Sequence, residues 1–146
     1  MTNKPVLKII LIAVPTIIVV FLIIVAMQPS SYRVARSLVI AAPPDAVFPH
    51  MNELKKWEAW NPWGKADPNI KLTYGGPASG VGASYSWAGN NEVGEGRATI
   101  IESRPSKSVK YKMEFFKPMS GTSEMEFTFK PQGKQTEVTV TVSGEK

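Results

Sequence analysis

SVKYKMEFF, residues 108–116, decides the fold. Val109, Tyr111, Met113 and Phe115 alternate with Lys110, Lys112 and Glu114. A period of two puts the first set on a dry face and the second on a wet one, so the segment reads as a half-buried strand. The pattern repeats downstream. Residues 121–130 set Met125, Phe127 and Phe129 against Glu124, Glu126 and Thr128, and residues 135–143 set Val138, Val140 and Val142 against Glu137, Thr139 and Thr141. Upstream, residues 70–74, 83–87 and 94–103 alternate too, and stop at Gly75-Gly76-Pro77, Gly89-Asn90-Asn91 and Arg104-Pro105. Short, evenly spaced turns between such runs predict an antiparallel meander with one buried face.

Before the meander the pattern changes. YRVARSLVI, residues 32–40, is branched and aromatic and reads as a first strand. Ala42-Pro43-Pro44-Asp45 starts a helix, because proline suits the first turn and Asp45 complements the positive end of the dipole. Ala46, Val47, Met51 and Leu54 supply its apolar stripe, and Pro49 limits or kinks it. Residues 55–60 form a second short helix, stopped by Asn61-Pro62.

Further upstream, IILIAVPTIIVVFLIIVAM runs from Ile9 to Met27 without a charge. At ~1.5 Å per residue a helix of this length crosses the ~30 Å core of a bilayer. A cleaved signal peptide would have a shorter apolar run and a small-x-small exit, which Val25-Ala26-Met27-Gln28 lacks. The division expected is an N-terminal tail 1–8, a transmembrane helix 9–27, a linker 28–31 and one domain 32–146. Lys4 and Lys8 before the run balance Arg33 and Arg36 after it. The free amino terminus tips the count toward a single-pass protein with its domain on the extracytoplasmic side. The linker reaches at most ~14 Å, which holds the domain near the headgroups.

Composition excludes several functions. Removing Lys4 and Lys8 from the 17 basic residues leaves 15 in the domain against 12 acidic ones. No basic cluster stands out, so nucleic acid is not an expected partner. The absence of cysteine removes disulfides, thiol catalysis and thiolate metal sites. His50 is the single histidine and has no obvious acid–base partner. No His/Asp/Glu cluster has metal-ligand spacing, no cofactor is expected, and GPASGVG at residues 76–82 lacks the Lys-Ser/Thr of a phosphate loop. Glu92 and Glu95 flank a hairpin and read as solvated turn residues.

Three stretches carry a family resemblance: Ile40-Ala41-Ala42-Pro43-Pro44-Asp45-Ala46-Val47-Phe48, then Trp57-Glu58-Ala59-Trp60-Asn61-Pro62-Trp63, then Trp87-Ala88-Gly89-Asn90 leading to Gly94-Glu95-Gly96. In order and spacing the chain resembles the START-like, helix-grip superfamily (SRPBCC), in its polyketide cyclase-like branch. The resemblance implies an α+β fold: a curved antiparallel sheet of about seven strands, two short helices after the first strand, and an apolar pocket. It also implies a long C-terminal helix gripped by the sheet, which is expected to be absent because the sequence stops at Gly144-Glu145-Lys146.

If the pocket exists, Tyr85, Trp87, Tyr111, Met113, Phe115, Met125 and Phe127 are its candidate lining, with core packing as the competing role. Trp57, Trp60 and Trp63 are expected to wedge the helical segment onto the sheet. The leading expectation is a membrane-anchored, non-catalytic domain that binds a lipophilic small molecule near the bilayer. A cyclase- or hydratase-like enzyme would need a polar group in the pocket, for which Tyr85, Tyr111, Glu95 and Arg97 are the nominees. An interaction module would use the open sheet face. The segment from Pro43 to Trp60 is too short and too polar to cover the apolar face of the last three strands, so the expectation is that the chain is a shortened form of a longer protein, or that a lipid, a partner or a second copy in a homo-oligomer completes the cover.

Overall fold

A computed structural model describes residues 4–145, which separate into two units. The first contains one helix, α1 (Lys4–Ala26), with no buried residue. It is long and apolar enough to cross a membrane. Pro15 lies inside it and cannot donate to the carbonyl of Leu11. The Thr16 hydroxyl does not replace that donor; it bonds to the carbonyl of Ile12 at 2.8 Å.

The second unit is a seven-stranded sheet with every neighbouring pair antiparallel. Its strands are β1 (Ser31–Ile40), β2 (Lys71–Gly75), β3 (Ser84–Ala88), β4 (Glu95–Arg104), β5 (Ser108–Lys117), β6 (Gly121–Gln132) and β7 (Gln135–Glu145). Their order is β1-β7-β6-β5-β4-β3-β2, so the last strand returns to lie beside the first. Three helical pieces separate β1 from β2: α2 (Pro44–Asn52), a 3₁₀ segment over Leu54–Ala59, and the single turn α3 (Trp63–Ala66). The sequence shows no sign of that third piece. Pro49 does not end α2, which runs on to Asn52.

The register fixes one face. Tyr111 stands opposite Met125 and Ile100, Val109 opposite Phe127, and Val138 opposite both Phe129 and Leu38. Directly paired residues share a face, so the alternation read from the sequence holds across all of these strands. Irregularities in β4 near Gly96 and Ile101 break its pairing with β5, and such bulges increase local bend and twist. Gly96 is needed for a further reason: a Cβ there would lie 2.4 Å from the Trp87 ring and 2.6 Å from the Glu114 carbonyl oxygen.

The helical pieces cover part of the concave face. Val47, Met51, Leu54 and Trp57 are buried against Tyr85, Ile100, Val109, Tyr111, Phe127, Phe129 and Val138. Phe48 meets Phe129 edge-on at 5.9 Å. Two hydrogen bonds fix the ends of α2. Thr136, fully buried on β7, donates to the carbonyl of Ala42 at 2.7 Å, and the Tyr111 hydroxyl donates to the carbonyl of Met51. The second satisfies one of the carbonyls that a helix C-terminus leaves without an intrahelical donor.

The cover is incomplete, as the length of the segment implied. Leu38 is 68% exposed, Val34 49% and Phe115 39%. Arg36, opposite Val140, sits on this same face of the edge strand β1, while Arg33 projects from the other.

Burial pushes the Tyr111 phenol well above its ordinary range, and the Trp57 indole opposes this only weakly; its Nε1 is buried without a hydrogen bond of good geometry. A raised phenol keeps its proton in the folded state after the unfolded chain has begun to lose its own. Its contribution is therefore complete below about pH 10 and declines as pH rises beyond that. Tyr111→Phe should lower stability by about 1–3 kcal/mol at neutral pH, because the Met51 carbonyl loses a buried donor. It should also flatten the fall in the urea midpoint above about pH 10 relative to the parent chain. An unchanged midpoint at pH 7 would show that this hydroxyl does not hold α2.

Candidate lipophile cleft

The uncovered part of the concave face forms a cleft of about 340 Å³. Its floor comes from β3, β5 and β6, where Tyr85, Trp87, Met113, Phe115, Met125 and Phe127 project from alternate positions. Val142 of β7 and the buried Ser123 of β6 extend it. Trp57, Trp60 and Trp63 close one side, with Ile70, and Val93 and Glu92 of the β3–β4 hairpin stand at the rim.

Six of the seven residues expected from the sequence meet here. Tyr111 does not: it is 0% exposed, its ring packs 5.1 Å from Trp57, and its hydroxyl is committed to α2. The three tryptophans do more than wedge the helical segment onto the sheet. Trp57 is the wedge, but it also reaches the cleft, and Trp60 and Trp63 stay 40% and 56% exposed along its side. Alternation could not reveal them, because Asn61, Pro62 and α3 have no period to read. The available sign was the density of tryptophan itself.

The rings are continuous. Centroids follow one another from Phe115 to Trp87 at 6.1 Å, to Tyr85 at 6.0 Å, to Trp57 at 6.0 Å, to Trp60 at 5.4 Å and to Phe127 at 6.2 Å. These separations lie in the attractive range for offset and edge-on aromatic pairs, so the arc is held by its own contacts. Burial raises the Tyr85 phenol, and the Glu58 carboxylate raises it further. Glu58 accepts a hydrogen bond from Tyr74, whose phenol is raised first by burial and then by that bond. Both phenols are neutral at physiological pH.

One carboxylate builds the mouth. Asp67, 7% exposed, follows α3 and accepts the backbone N–H of Asn69 at 2.9 Å and that of Asn90 at 2.7 Å. The Asn90 side chain donates to the carbonyl of Ala66 at 3.4 Å. Through these bonds the α3 turn, which carries Trp63, is clipped to the hairpin that carries Glu92 and Val93.

The other nominees for chemistry lie elsewhere. Arg97 bonds to Ser86 at 3.1 Å, and its pairing with Glu114 places it on the convex face. Glu95 pairs with Lys117 at 2.7 Å. His50 is exposed, and its backbone carbonyl accepts the Trp60 indole N–H at 3.3 Å. Among the described residues no cluster of three metal-ligating side chains occurs.

Residues 31–145 match the family described as polyketide cyclase / dehydrase and lipid transport. The chain belongs to this family. Its fold is the family's helix-grip fold, and solved structures agree. Protein MLL2253 from Mesorhizobium loti superposes with a TM-score of 0.60 at 17% identity, over 79% of this chain and 78% of that one. The major latex-like protein 151 of Panax ginseng gives 0.56 at 13% identity, over 80% of each chain. The Aha1 protein from Colwellia psychrerythraea, solved as a dimer, gives 0.53 at 19% identity, over 75% and 74%. No curated protein matches the chain in sequence. At these identities the neighbours speak to fold alone.

If the clip shapes the mouth, Asp67→Ala should lower stability by about 1.5–3 kcal/mol through the lost charge-assisted hydrogen bonds. Amide exchange should accelerate at Asn69 and Asn90 first, with the β5 and β6 amides protected until global unfolding. Uniform acceleration across the sheet would show that the two loops are not a local unit.

Proposed function

We propose that this chain is a membrane-anchored, non-catalytic member of the family that holds a lipophilic small molecule in the cleft between the Trp57–Trp63 segment and the sheet. The observation that carries this reading is the lining itself. Of the four groups nominated for catalysis from the sequence, Tyr85 alone lines the cleft. Met113 and Met125 adapt to varied apolar shapes, and the volume suits a small ligand. The family description, which includes lipid transport, agrees with a carrier or presenter.

The anchor is α1. Its apolar length supports retention as a transmembrane segment, and the free amino terminus beside Lys4 and Lys8 favours a binding domain on the extracytoplasmic side. N-terminal sequencing of the membrane-bound protein should begin at the N-terminus of α1 or before it; a start near Gln28 would make α1 a cleaved signal.

Ser123 tests the cleft. It is buried on the floor, and phenylalanine there would occupy the space meant for ligand. Organic extracts of the purified full chain should contain a lipophilic compound above the empty-micelle background, and extracts of a folded Ser123→Phe variant should lack it. Equal content in the two would remove the cleft as the binding site.

A further inference from the structure

The polar features of the cleft are lopsided. The one carboxylate among its described lining residues is Glu92, at the rim. Glu92 takes part in no ion pair among the described residues. Among the described residues no lysine or arginine lines the cleft. Arg36 shares the concave face only at the far edge, opposite Val140, outside the cleft lining. The walls between are aromatic rings, from Phe115 round to Phe127, with Trp63 exposed beside them.

An aromatic face attracts a cation through its quadrupole, most strongly for tryptophan and most strongly when water is excluded. An unpaired carboxylate at the rim acts in the same sense. An anion would meet the opposite: repulsion from Glu92, and desolvation with no cationic partner to offset it.

We infer that the cleft selects lipophilic cations, molecules with an apolar chain or ring bearing an ammonium group that lies against the aromatic arc and the Glu92 carboxylate. This rests on the reading of the cleft as a lipophile site, and adds the charge of the ligand.

The test uses the full chain in micelles of an uncharged detergent, by equilibrium dialysis against empty micelles. Three probes share one alkyl chain: octyltrimethylammonium, octanesulfonate and octanol. The cation should bind about 10-fold or more tightly than octanol, and the anion more weakly than octanol. Glu92→Gln and Trp63→Leu alter exposed positions and spare the core. Each should reduce cation binding by about 3-fold or more relative to octanol binding measured on the same variant, so that the cation-to-octanol ratio falls. Equal binding of the three probes, or variants that keep the full preference, would overturn the charge selectivity and leave the lipophile site standing. Octanol failing to bind above the blank would remove the lipophile site and this inference with it.

Discussion

The bond from the Tyr111 hydroxyl to the Met51 carbonyl joins the helical cover to the sheet. Tyr111 lies at the centre of the concave face, between Ile100 on β4 and Met125 on β6. By holding the C-terminal end of α2, it sets where the 3₁₀ segment begins, and so where Trp57 enters the core. Trp57 in turn touches Trp60, Tyr85 and Tyr111. The covered half of the face and the open half are therefore two results of one anchoring point. Residues on the α2 side of Tyr111 are core. Residues beyond it, toward Phe115 and Val142, are cleft.

That division explains what could be read from the chain. Strand positions and the inward set on β5, β6 and β7 followed from alternation, because a half-buried strand writes its environment into every second residue. Alternation assigns a face and nothing finer. It cannot separate Tyr111 from Met113, two residues along the same strand, although one is sealed under α2 and the other lines open space. That distinction depends on how far a helical segment from another part of the chain reaches. The contributions of Trp60 and Trp63 were hidden for a related reason: they come from a stretch with no repeating geometry. The Asp67–Asn90 contact spans 23 positions and joins two turns, neither of which has a pattern that points to the other.

Family membership and cleft geometry supply different parts of the functional reading. The family fixes the architecture. The chemistry of this cleft comes from side chains that the architecture leaves free to vary: a ring arc, two methionines, one rim carboxylate. Small changes at the rim would alter ligand charge preference with little effect on folding, since Glu92 and Trp63 belong to the exposed lip and the core lies behind Trp57.

Arg36 bears on how copies of this domain can meet. An open sheet invites another strand to add to its edge and so to extend without limit. On β1 a guanidinium stands on each face, Arg36 on the concave side and Arg33 on the convex. The opposite edge, β2, has five residues and begins with Lys71. A strand docking on β1 would have to bury Arg36 between Val34 and Leu38, without a carboxylate supplied by its own sheet. Strand-to-strand polymerisation is thereby disfavoured, while the apolar surface beside it stays open to ligands that bring no backbone to pair.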